Sequence, residues 1–177
     1  MTIPITRPEV PAYYTGVGGR RVPEDIYGVM KLVAEVLAGL GYILRSGGAD
    51  GSDKAFEEGA DAGGGEKRIW RPRDATPEAI KIAGRYHGAW HLCNEHARKL
   101  HGRNVFQVLG RNLRTPSLFV LCWTWDGCIY HGDRKKETGG TGTAISVASE
   151  NGIPVYNLAR EAHYDMVLDW LDNFVHE

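Results

Sequence analysis

An α/β fold, an open and mostly parallel sheet with helices on both faces, is the architecture this sequence predicts. Short apolar runs of strand type alternate with longer stretches of helical periodicity, and glycine-rich turns stand at the junctions. A length of 177 residues with 42% hydrophobic content suits one domain with a sizeable core, the motif-bearing part covering about 13–158.

The elements follow in order along the chain. "AYYTGV" is a short strand that runs into the glycine turn "GGRRVP". In "PEDIYGVMKLVAEVLAGLG", Ile26, Met30, Val33, Leu37 and Leu40 fall at helical spacing, with acidic residues in the first turn and Gly41 as the stop. "YILRSGG" is a second strand, and "GSDKAFEEGADAGG" a second helix with Ser52 or Asp53 as its cap. "EKRIWRP" predicts a third strand, and 76–104 a helical region broken near Gly88. "VFQVLGRNL" fits helix or strand equally. "PSLFVLCWTW" is the candidate central strand, "GGTGTAISVASENG" a glycine loop opening a helix, "IPVYNL" a strand and "EAHYDMVLDWLDNFV" a closing helix.

A formal net charge of -1 leaves no overall positive field for general nucleic-acid binding. The amino-terminal stretch "MTIPITRPEVPAYY" has neither a basic region nor an apolar core of signal type, and no apolar run is long enough for a membrane span. The expectation is a soluble, cytoplasmic protein without a membrane partner. Cys93, Cys122 and Cys128 form no CxxC pair and are expected as free thiols.

Three glycine-rich turns, "TGVGGRR", "RSGGADGSD" and "TGGTGTA", each stand between a strand and a helix. In a parallel sheet such turns gather at the carboxyl ends of the strands, where helix starts present N–H groups and a positive dipole end to an anion. Glycine permits close backbone approach, and threonine adds hydroxyl donors without charge. A phosphate is the ligand chemistry that fits. The GxxxxGK[ST] pattern and an intact GxGxxG are absent, which disfavours a Walker-type NTPase and a standard dinucleotide enzyme.

These same strings, "GVGGRRVP", "RSGGADGSDKAFEEGA" and "GGTGTAISVASENGIPVYNL", resemble the SLOG superfamily of Rossmann-like domains, and within it the DNA-processing protein A group. The segment "LHGRNVFQVLGRNLRTPSLFVLCWTWDG" is similar to short phage and plasmid proteins of that group. The resemblance implies a Rossmann-like sheet with a ligand crevice, and a homodimer or higher homo-oligomer formed through helices that flank the crevice. The Lonely-guy phosphoribohydrolases, more distant members, carry a glutamate in a GGxGTxxE pattern where this chain has Ser146. That departure lowers the expectation of their reaction, and Glu150, one turn on, reads as a solvated residue. No catalytic residue is assigned.

The ligand contacts expected from the turns and the resemblance are Gly18, Gly19 and Arg20 in the first turn, Ser46, Gly47, Gly48 and Asp53 around the second, and Gly139, Gly140, Thr141, Gly142 and Thr143 in the third. Arg103 and Asn104 are added from the long helical region, and Trp123 as a base-stacking residue. Arg20 would fork onto a phosphate, whereas Asp53 reads first as a helix cap. No metal site is expected: His87 and His91 share a helical face, but His96 and His101 drift around it and Cys93 is displaced.

The leading reading is a site for a nucleotide or nucleotide-derived phosphate, with no certain cofactor beyond such a ligand. The alternative is single-stranded DNA, drawn in by Arg134, Lys135 and Lys136 of the insert "HGDRKKETGG". A hydrolase acting on an N-glycosidic or phosphate bond comes third.

Overall fold

The strands and helices of the computed structural model, which describes residues 5–175, follow the alternation read from the sequence. The first four residues of the amino-terminal stretch lie outside the described residues. In chain order the elements are β1 (Ala12–Gly18), α1 (Glu24–Leu40), β2 (Tyr42–Ser46), α2 (Ser52–Ala62), β3 (Lys67–Ile69), α3 (Pro77–Gly84), α4 (Glu95–Leu109), β4 (Val120–Trp123), α5 (Gly142–Glu150), β5 (Val155–Asn157) and α6 (Glu161–Val175). The five strands are all parallel, in the order β3-β2-β1-β4-β5. Parallel strands need crossovers, so helices cover both faces.

The two faces hold separate cores. On one, Tyr14, Leu44, Phe119 and Leu121 pack against Met30 and Leu37 of α1, Phe56 of α2 and Trp170 of α6. On the other, Val17, Val120 and Cys122 meet Val105, Phe106 and Val108 of α4 and Ile145 of α5. Both β2 and β4 are buried along their whole length, as expected for inner strands of a parallel sheet. α1 carries Glu24 and Asp25 in its first turn and ends where Gly41 adopts φ 95°, its N–H returning to the carbonyls of Ala38 and Leu37.

Several expectations are corrected. The helical region 76–104 is interrupted not only near Gly88 but throughout 85–94, where just Trp90–Leu92 makes a single 3-10 turn. The second piece starts at Asn94, whose side chain accepts the Ala97 N–H at 2.8 Å, and it absorbs the ambiguous "VFQVL" as helix. Neither Ser52 nor Asp53 caps α2. Gly51 occupies the cap position with φ 81°, Ser52 Oγ donates to the Gly19 carbonyl at 2.8 Å, and the Asp53 carboxylate reaches back to the Ala49 N–H at 3.3 Å. The closing helix α6 is present as expected and packs on the core through Val167, Trp170 and Leu171. Among the described residues no helix is long and apolar enough to cross a membrane.

α1 and α2 approach so closely that Gly59 is a packing requirement. A Cβ there would strike the Lys31 carbonyl and stand 2.6 Å from the Ala34 Cβ. We expect Gly59→Ala to destabilise the fold by about 2 kcal/mol through overpacking, whereas Gly28→Ala, an exposed mid-helix site with nothing within 4 Å, stabilises it by roughly 0.5–1 kcal/mol. Urea melts of the two variants check both signs.

Candidate functional site

The strand order reverses between β1 and β4: α1 leads from β1 toward one edge of the sheet, and α5 leads from β4 toward the other. At such a switch point the loops after the two strands separate and leave a crevice at their carboxyl ends. A crevice of about 350 Å³ lies there. It is lined by Gly18, Gly19, Arg20 and Arg21 after β1, Asp53 of α2, His101, Arg103, Asn104 and Gln107 of α4, Thr124 and Trp125 after β4, and Glu137–Thr141 before α5.

The first and third glycine turns meet in this crevice. Gly19 donates its N–H to the Trp123 carbonyl at 2.9 Å, which locks the first turn onto the end of β4. The third turn hangs from Asp126, whose carboxylate accepts from Thr124 Oγ1 at 2.8 Å, Thr138 Oγ1 at 2.5 Å and the Cys128 N–H at 3.2 Å. Burial pushes that carboxyl up, but the hydrogen bonds from Thr138 and Thr124 outweigh it and hold the carboxyl below its ordinary value. From the other side Asn104 Nδ2 donates to the Gly140 carbonyl at 3.0 Å. Gly139, at φ 68° and ψ -158°, makes the reversal between these two anchors.

The second turn does something different. Gly47 and Gly48 do not line the crevice, because their carbonyls serve arginines: Arg103 Nη1 donates to Gly47 at 2.6 Å and Arg71 Nη1 to Gly48 at 2.9 Å. The amides of Gly18, Gly47 and Ala49 all support the Asp53 carboxylate, so an internal anion occupies this turn. Burial still dominates and raises the Asp53 carboxyl to about 6, against those amides and the nearby Arg103 guanidinium. Burial in turn lowers Arg103 from its ordinary value. Arg103 also donates to the Trp70 carbonyl at 3.2 Å, so it acts in the crevice as a fixed charge more than as a free fork.

Of the remaining expected contacts, Ser46 is fully buried and donates to the Gly16 carbonyl at 2.6 Å. Trp123 is buried beneath Gly19, and its neighbour Trp125, 65% exposed, presents its ring instead. Their rings stand edge to face at 4.9 Å. Gly142 and Thr143 lie behind the lining, where Thr143 Oγ1 meets His101 Nδ1 at 2.8 Å and Arg134 Nη2 at 3.4 Å. Arg134 donates to the Tyr86 carbonyl at 2.9 Å and is half-buried, so of the basic insert only Lys135 and Lys136 are exposed. Ser146 is wholly buried against His131 Nδ1 at 2.8 Å. Sequence reasoning missed His101, Gln107 and Trp125 as lining residues. The alternation of "CWTWDG" admits Trp125, but only the end of β4 at Trp123 shows which tryptophan clears the core.

A doubly wound α/β fold with a crevice at its switch point is what this geometry defines. No protein-family model matches the chain, and no curated protein matches it. Among solved structures the chain is similar to DNA processing protein A (DprA) from Streptococcus pneumoniae, with a TM-score of 0.50 and 18% identity. The match covers 92% of this chain and 56% of that one, so the chain spans little more than half the length of its structural neighbour. At that identity the likeness shows the fold.

Asp53 makes the charge of the crevice depend on pH. Its raised value means that the carboxyl gains its proton as the pH falls through about 6, while His101, lowered by burial and by the neighbouring His87, Arg134 and Arg103 to about 4, stays neutral there. Losing the negative charge on the crevice floor favours an anion. Affinity for a dinucleoside phosphodiester, whose own charge is constant in this range, should rise about tenfold on acidification, and Asp53→Asn should flatten the profile. Calorimetric titrations across that window are the check.

Proposed function

We propose that the crevice binds a nucleotide-type ligand, with a phosphate between the Gly18–Arg20 and Gly139–Thr141 turns and the base against Trp125. The observation that carries this reading is the convergence of two glycine turns and Arg20 on one crevice of about 350 Å³, a size at the lower end of small-molecule sites. Arg20 and Arg21 form no ion pair among the described residues and remain available to a phosphate. Arg103 adds a fixed positive charge beneath them.

Single-stranded DNA is the second reading. It is favoured by the likeness in fold to a protein named for DNA processing, and by the exposed Lys135 and Lys136, which line a cavity that shares Gly139 and Gly140 with the crevice. Trp125 would serve either ligand, since any base offers a face for stacking.

Gly140 separates fold from function. A Cβ at this position meets nothing within 4 Å, so Gly140→Val keeps the fold while filling the space a phosphate would enter. Under the first reading, thermal-shift titrations with nucleoside monophosphates give a salt-tolerant rise in melting temperature. Gly140→Val abolishes that rise with an unchanged melting temperature of the free protein, and Arg20→Ala weakens binding by roughly 10–100-fold. The double variant of Lys135 and Lys136 to alanine binds as the parent does. A response to oligonucleotides alone, with a steep salt slope that shrinks by about one for each lysine removed, would replace the first reading by the second.

A further inference from the structure

The break between α3 and α4 assembles a side-chain cluster that the helical spacing conceals. His87 and Cys93 lie on the 85–94 loop and His101 on α4, yet their ligand-type atoms all stand within 4.8 Å of one another. Cys93 Sγ is 3.9 Å from His87 Nδ1 and 3.8 Å from Nε2, and the rings of His87 and His101 meet edge to face at 4.6 Å. His91, the sequence partner of His87, is exposed and takes no part.

We propose that His87, Cys93 and His101 form a three-ligand zinc site whose fourth position opens to the cavity beside Gly139 and Gly140. Donor atoms around a tetrahedral zinc stand roughly 3.3–3.8 Å apart, so the cluster needs to close by about an ångström, and two of its three ligands are on a loop. The set is mixed nitrogen and thiolate, the chemistry zinc prefers over the hard cations. Thr143 Oγ1, at 2.8 Å from His101 Nδ1, suits the tautomer that carries its proton on Nδ1 and offers Nε2 to a metal. His87 Nδ1 accepts the Ala89 N–H at 3.1 Å, and loading exchanges that hydrogen bond for coordination.

Arg134 stands close enough to both imidazoles to oppose a positive charge on them, and the same field opposes a bound dication. Zinc with one thiolate carries a net positive charge, and Arg134, Lys135 and Lys136 line the cavity that the fourth position faces. The fourth ligand is therefore an anion, a hydroxide or a phosphate oxygen. The site stands whatever ligand the crevice takes.

The test is a cobalt(II) titration of the full chain after chelator treatment, followed by zinc displacement. We expect one cobalt per chain, with the intense visible bands of a four-coordinate ion and a thiolate-to-cobalt charge-transfer band. Cys93→Ser removes the charge-transfer band, His101→Ala weakens zinc binding by about 100-fold or more, and His91→Ala changes neither. Circular dichroism of each metal-free variant establishes that the fold is retained, and the conservative Cys93→Ser carries the test should His101→Ala unfold. Absence of the charge-transfer band in the parent, its survival in Cys93→Ser, or equal damage from His91→Ala overturns the site.

Discussion

No side chain fits between the end of β1 and its neighbours, and that restriction governs the rest of the structure. A Cβ on Gly18 would stand 2.6 Å from Ser52 Oγ and 2.7 Å from the Trp123 carbonyl oxygen, and one on Gly51, at φ 81°, would collide with the Arg20 carbonyl. The close approach lets Gly19 hold both neighbours, accepting the Ser52 N–H at 3.2 Å and donating to Trp123 at 2.9 Å. One turn thus ties β1, β4 and α2 together at the point where the strand order reverses. The crevice wall on this side is backbone, with no side chain standing out from Gly18 or Gly19.

Charge in the crevice is arranged in layers by burial. Asp53 is turned inward onto amides of the first and second turns and sits near the buried Arg103, while Arg20 and Arg21 stand at the mouth. The carboxylate takes the amides of Gly18, Gly47 and Ala49 and the Trp123 carbonyl takes that of Gly19, so what the first turn presents at the mouth is the arginine pair. Burial that raises the Asp53 carboxyl to about 6 also keeps His101, on α4, uncharged at neutral pH. Both groups owe their shifts first to the low polarity of their surroundings.

The alternation of strands and helices was legible in the sequence because the crossovers after β1, β2 and β4 announce themselves by glycine after the strand and a helical stretch after the glycine, and the one after β3 by Thr76-Pro77 at the helix start. Nine of the fifteen expected contact residues, among them Gly18, Arg20, Asp53 and Gly140, do line the crevice. What the sequence concealed depends on geometry beyond its local period. Ser46, Gly47 and Gly48 lie in a turn of the right composition, but the direction in which its carbonyls point is set by Arg103 and Arg71, which are remote in the chain. Trp123 and Trp125 are equivalent in alternation and differ only in which face the core claims. The helical period puts His87 and His91 on one face, whereas the interruption over 85–94 pairs His87 with His101 instead.

The central claim is that the first and third turns form one anion site. Backbone amide shifts followed by NMR during titration with a nucleoside monophosphate test it most directly. The account predicts that Gly18–Arg20 and Gly139–Thr141 move together along one saturating curve, while the amides of Gly47 and Gly48 move far less. Saturable shifts confined to another surface, or to one of the two turns alone, would contradict it.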